Sequence, residues 1–74
     1  MKPEEAFGQV LKELRTKKKL SQEQLALSCD LDRTFISMLE RGVRQPTLTS
    51  IIVIAKSLDV PAHQLVKLTT SYLK

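Results

Sequence analysis

The chain has 74 residues, 42% of them apolar and 27% charged, with a formal net charge of +4. That length suits a single domain near the lower size at which a hydrophobic core holds a fold without metal or disulfide support, and the composition excludes a disordered chain. A lone cysteine, Cys29, excludes an internal disulfide and a cysteine-based zinc set, and the longest apolar run, Ile51 to Ala55, is far short of the roughly 20 residues a membrane helix needs.

Glu4 and Glu5 stand where a secretion signal would carry basic and apolar residues. With the single cysteine, this leads us to expect a cytoplasmic protein with no membrane association. Charge is uneven along the chain: residues 1–45 hold nine of the twelve Lys and Arg and seven of the eight acids, so the charged chemistry lies there. The remainder reads as packing surface.

A first helix is signalled by Pro3 followed by Glu4 and Glu5, because proline suits the first helical turn and acids complement the positive end of the helix dipole. Phe7, Val10, Leu11 and Leu14 recur at helical spacing, and the element ends in Lys17-Lys18-Lys19. These lysines suit either a dipole-matched helix end or phosphate contact. Ser21-Gln22-Glu23-Gln24 is a capping box, so a second helix starts at Ser21 or Gln22. Leu25, Ala26 and Cys29 form its inner face, and Ala26 leaves room for another helix to cross closely.

Asp32 is a suitable N-cap for a third helix, with Leu31 and Ile36 at the positions of a hydrophobic staple and Gly42 as its stop. Only Asp30 and Leu31 remain to turn the chain between the second and third helices. Thr47 caps a fourth helix running to about Leu58, with an apolar stripe of Leu48, Ile51, Ile52, Ile54, Ala55 and Leu58 and with Val53 outside it. Asp59-Val60-Pro61 breaks the chain before a short fifth helix containing Ala62, Leu65, Val66 and Leu68. Residues 69–74 read as an extension or a fraying end.

The third helix carries the chemistry. At about 100° per residue, Phe35, Ile36 and Leu39 fill one arc, and the other arc holds Glu40, Arg33, Ser37, Arg41, Thr34 and Met38. Short polar groups with two arginines let such a face lie deep in a groove. Arginine offers two parallel donors to guanine, hydroxyls bond base edges, and a methyl group can touch a thymine methyl. From these residues alone, a solvated face and a DNA-reading face are both open.

The spacing describes a helix-turn-helix unit over about residues 21–41, whose second helix is presented to the major groove. Residues 21–61 resemble the Cro/C1 (XRE) family of helix-turn-helix DNA-binding proteins. The matching features are Ser21-Gln22-Glu23, Leu25-Ala26, Ile36-Ser37, Glu40-Arg41-Gly42, Pro46 with Leu48, Ala55, and Leu58-Asp59-Val60. Asp30 departs from the pattern, where the family usually carries glycine; aspartate tolerates the left-handed conformation, so the same turn is expected at a small stability cost. Arg33-Thr34-Phe35-Ile36-Ser37 with Glu-Arg-Gly is similar to the controller proteins of restriction–modification systems, small dimeric regulators. Phage Cro-like repressors and antitoxin-type autoregulators share most of these features.

The resemblance implies an all-α, compact five-helix bundle of the lambda-repressor-like type, residues 1–74 being one domain with a dimerisation region over about 47–73. It implies phosphate binding by Gln22 and base reading by Arg33, Thr34, Ser37 and Met38. It also implies a structural ion pair of Arg15 with Glu40, an acid that would otherwise repel DNA. Arg41, Arg44 and Gln45 follow the third helix and should lie along the phosphate backbone. Val53, Val60, Leu65, Val66, Leu68 and Tyr72 are more apolar surface than so small a domain can bury, which points to a homodimer. The expected partners are double-stranded DNA, a second copy of the chain and RNA polymerase. No enzyme, cofactor or metal is expected: His63 is the only histidine, and Gly8 and Gly42 are the only glycines. The rival reading is an adaptor that uses this fold to bind proteins, with Leu27 and Val53 on its surface.

Overall fold

Five helices follow one another, with no strand, in the computed structural model, which describes residues 1–73. They are α1 (Pro3–Lys17), α2 (Gln22–Cys29), α3 (Arg33–Glu40), α4 (Leu48–Ser57) and α5 (Ala62–Ser71). Pro3 opens α1, and the backbone N–H of Lys2 donates to Glu5 at 2.8 Å. The α2 capping box is complete: Gln24 N–H donates to the Ser21 hydroxyl at 3.0 Å, and Ser21 N–H donates to the Gln24 side chain at 2.8 Å. Asp32 accepts from Thr34 N–H at the start of α3. At α4 Thr47 is answered by Ser50, the serine taking the place usually held by Glu or Gln.

One terminator closes four successive helices. Lys19, Asp30, Gly42 and Asp59 all have φ between 56° and 74°. The next residue then donates its N–H to the carbonyl five positions back: Leu20 to Arg15, Leu31 to Ala26, Val43 to Met38, and Val60 to Ala55, at 2.9–3.2 Å. This is the Schellman arrangement, which also favours an apolar residue just past the left-handed one. Leu20, Leu31 and Val60 pack on the core in that position, while Val43 stays exposed. Asp30 therefore makes the turn that glycine would make.

The core draws on every helix: Phe7, Val10 and Leu11 from α1; Leu25, Ala26 and Cys29 from α2; Ile36 and Leu39 from α3; Ile54 and Ala55 with Leu58 from α4; Leu65 from α5. Each fully buried Leu or Ile among them contributes about 1.5–3 kcal/mol of transfer free energy. α1 lies centrally against α3 and α5, α2 packs on α3 and α4, and α4 on α5. α1 and α3 approach closely at Gly8, where a Cβ would run into the carbonyl oxygens of Leu39 and Glu40. Glycine at this position seats α1 directly on the end of α3.

Two expectations are corrected, and of the two alternatives open for the chain end the extension is the one seen. Leu48 and Ile52 do not join the buried stripe of α4; they are 74% and 50% exposed, because Ile54, Ala55 and Leu58 already fill the arc facing the core. The fifth helix does not fray after Leu68: it runs to Ser71, with Thr69 buried and its hydroxyl donating to the Leu65 carbonyl at 2.7 Å. Tyr72 then donates to the Glu13 carboxylate on α1, which fastens the end of α5; Lys74 lies outside the described residues. Lastly, Leu65 is fully enclosed in the core and is not interface surface, since α5 turns that side toward α1 and α4.

Candidate nucleic-acid interface

The outer face of α3 is held by its inner face. Ile36 and Leu39 are wholly buried and Phe35 is half-buried, so the helix has little freedom to roll. Opposite them, Arg33, Thr34 and Arg41 are exposed, and Ser37 and Met38 are partly so. Arg44 and Gln45 are exposed in the loop after Gly42. The Arg44 guanidinium lies over the Phe35 ring, 5.6 Å from its centroid, a cation–π contact that draws the loop back beside α3.

Glu40 joins three helices. Arg15 of α1 donates from Nε to Glu40 Oε2 at 2.5 Å and from Nη2 to Oε1 at 3.0 Å, and its Nη1 donates to the Leu20 carbonyl at 2.7 Å. Gln22, the first residue of α2, donates from Nε2 to Glu40 Oε1 at 3.0 Å. Side chains of Arg15 and Glu40 are only 11% and 4% exposed, so the pair is a desolvated one. The bond to Glu40 raises the Arg15 pKa, overcoming the opposite pull of burial. The end of α1, the start of α2 and the end of α3 are thus fixed to one another by four hydrogen bonds.

Arg15 with Glu40 is the only ion pair among the described residues. Among the described residues, Arg33, Arg41 and Arg44 therefore have no carboxylate within 4.0 Å, and their charge is available to an external anion. The acid nearest in sequence, Asp32, is occupied with the Thr34 N–H. Gln22 is partly committed as well: besides its bond to Glu40, its Oε1 faces Arg33 Nη1 at 3.5 Å. This link had no signal in the sequence, where residue 22 opens α2 and residues 33 and 40 stand at opposite ends of α3.

Val66 and Tyr72 are exposed on and just beyond α5, while Val53, Val60 and Leu68 are half-buried against the core. Ile52 and Leu48, assigned by periodicity to the interior, extend the exposed apolar surface along α4. Ile52 lines a shallow groove with Val60, Pro61 and Ala62. Leu27 is 78% exposed on α2. No helix among the described residues is long and apolar enough to cross a membrane.

A helix-turn-helix family model matches residues 11–65, most of the chain and all of α2 to α4. Control protein C.BamHI of Bacillus amyloliquefaciens is 46% identical over 65 residues, 86% of this chain and 80% of that protein. The restriction–modification controller protein C.AhdI from Aeromonas hydrophila superposes with a TM-score of 0.82 at 45% identity, covering 84% of this chain and 94% of that one. The master regulator for biofilm formation SinR, solved in complex with DNA, superposes with a TM-score of 0.77 at 28% identity over 81% of this chain and 97% of its own. With the five-helix fold and the α2–α3 unit, these matches place the chain in the Cro/C1-type (XRE) helix-turn-helix family.

Proposed function

We propose that this chain is a sequence-specific DNA-binding transcriptional regulator that acts as a homodimer on a palindromic operator, as a controller of a restriction–modification system. The observation that carries the reading is the outer face of α3. It has arginines without acid partners and short hydroxyls, on a helix anchored by Ile36 and Leu39 and pinned at its end by Glu40. Arg33, Thr34, Ser37 and Met38 read bases in the major groove, and Arg41, Arg44 and Gln45 follow the phosphates. That C.BamHI and C.AhdI are controller proteins and that SinR was solved with DNA supports the assignment.

Dimerisation uses the surface of residues 47–73: Val53, Val60, Val66, Leu68 and Tyr72, joined by the exposed Ile52 and Leu48. A protomer measures 32 × 23 × 22 Å, so two joined side by side are of the scale that sets their α3 helices one DNA turn, about 34 Å, apart. Bound beside a promoter, such a dimer acts on transcription by contacting RNA polymerase or by excluding it.

Two measurements test this. In competition binding, the duplex from upstream of the protein's own gene should stay bound in excess unrelated DNA, and equal displacement by any duplex would refute sequence-specific regulation. In sedimentation, the wild type should be a dimer and Ile52→Asp a folded monomer; a monomeric wild type on and off DNA would refute the dimer.

A further inference from the structure

The corner between α1 and α2 carries three consecutive lysines, Lys17, Lys18 and Lys19, and all three are exposed. Among the described residues none of them has a carboxylate within 4.0 Å. A basic run at a helix end complements the dipole, and that alone asks nothing of DNA. The geometry of the corner separates the three. Leu20 N–H donates to the Arg15 carbonyl at 3.1 Å, and Arg15 Nη1 donates to the Leu20 carbonyl at 2.7 Å. Leu20 packs on the core and Arg15 is bonded to Glu40, so the corner is held against the end of the helix that carries Arg33 and Ser37.

Lys18 and Lys19 follow Arg15 by three and four positions and so share its side of α1, the side turned to α3. Lys17 follows Glu13 by four positions, and Glu13 accepts from Tyr72 at the end of α5, which puts Lys17 on another side. Lys19 is also the left-handed residue of the corner, at φ 60°, where glycine would be unstrained. A lysine there gives up stability and keeps a cation beside the start of α2.

We propose that Lys18 and Lys19 bind the phosphate backbone outside the base pairs read by α3, and that Lys17 does not. This inference rests on the DNA-reading assignment of α3. The loop after α3 leads through Thr47 into the α4 surface assigned to the dimer, and hence toward the operator centre. α1 and α2 carry none of that surface, so the phosphates met at their corner flank each half-site on its outer side. Lysine suits the task, because it meets phosphate as a point charge on a flexible stem and needs no fixed fork geometry. The contact lengthens the bound duplex and adds affinity without sequence information.

The test varies the lysines and the duplex length together. Binding should be measured over a salt series for wild type, Lys17→Gln, Lys19→Gly and the double variant Lys18→Gln with Lys19→Gln. The duplex from upstream of the protein's own gene is used with long outer flanks and again trimmed to the ends of the half-sites, with thermal unfolding of each variant alongside.

The slope of log K against log salt changes by about 0.9 for each phosphate contact, so the double variant should lower it by about 2 per protomer on the long duplex. Trimming should do the same to wild type and nothing further to the double variant, while Lys17→Gln should match wild type on both duplexes. Lys19→Gly should bind the long duplex more weakly although glycine relieves the strain and steadies the fold, a pairing that a merely structural lysine would not give. An effect of Lys17→Gln as large as half that of the double variant would mean a general field of net charge and would overturn the proposal. So would a double variant that responds to trimming as wild type does. Both results leave the DNA-reading assignment standing, whereas a wild type that holds this duplex no better than unrelated DNA at either length would overturn that assignment and this inference with it.

Discussion

Gly8 of α1 lies so close beneath Leu39 of α3 that no side chain fits between them: a Cβ on Gly8 would overlap the Leu39 carbonyl oxygen. The contact is with backbone rather than with the flexible end of a side chain, so the neighbour cannot step aside. Gly8→Ala should force α1 and α3 apart and destabilise the fold by about 3 kcal/mol, at the upper end of overpacking costs. Urea unfolding checks this. The variant should also bind DNA less well in proportion, because the displaced element is the end of the helix proposed to read DNA.

The repeated left-handed terminator gives a prediction of opposite sign. Lys19 at φ 60° and Asp30 at φ 56° hold a conformation that costs most L-residues about 1–2 kcal/mol, and their side chains are exposed. Glycine relieves that cost but gives the unfolded chain more freedom. Lys19→Gly and Asp30→Gly should each therefore stabilise by about 0.5–1 kcal/mol, the lysine site more than the aspartate. Gly42→Ala should do the reverse, since φ there is 74° and the new methyl would press on Glu5 of α1. Thermal unfolding of the three variants orders them.

Breaking the Arg15–Glu40 pair should cost more than its surface counterparts would. Arg15→Met leaves the Glu40 carboxylate, 4% exposed, with Gln22 as its remaining side-chain donor, and a loss of about 3 kcal/mol is expected. Replacing both residues, Arg15→Met with Glu40→Met, should recover part of that loss because no buried charge is left unpaired. A double-mutant cycle in urea measures the difference.

Much of this architecture was legible in the sequence, for local reasons. The Ser21–Gln24 box, the Asp32 cap and the Gly42 stop depend on residues three or four apart, and each occurs where its residues indicated. What was hidden depends on residues far apart. Leu65, Leu48 and Ile52 lie on other sides than their spacing suggests because α4 and α5 carry apolar residues around much of their circumference, and periodicity does not say which arc the neighbours cover. Ala26 is buried as its place on the inner face of α2 requires, whereas the close backbone approach at Gly8 has a meaning that appears only when α1 lies on α3. Likewise the contacts of Gln22 with Glu40 and Arg33 appear only when α2 lies on α3.

The buried thiol gives a pH dependence. Burial pushes the Cys29 pKa above its ordinary value of 9.0, against a smaller opposite pull from its hydrogen bond to Ser57 at 3.3 Å. The folded state then holds the thiol proton more tightly than the unfolded one. Its contribution to stability is complete below the ordinary value and is lost as pH rises through the folded value. The melting temperature should fall above about pH 9, and Cys29→Ala should remove part of that fall. Alkylation of Cys29 at about pH 8 should be slow in the folded protein and ordinary after unfolding.

The central claim, that α3 reads DNA through Arg33, is tested most directly by selection from a random duplex pool at about physiological salt, with Arg33→Ala and Arg44→Ala in parallel. Wild type should enrich two inverted half-sites about one helical turn apart. Arg33→Ala should relax one position of each half-site, whereas Arg44→Ala should keep the same sequence, weaken binding to all duplexes alike and reduce the salt slope by about 1. A pool that emerges unenriched, or a half-site that Arg33→Ala leaves unchanged, would contradict the account.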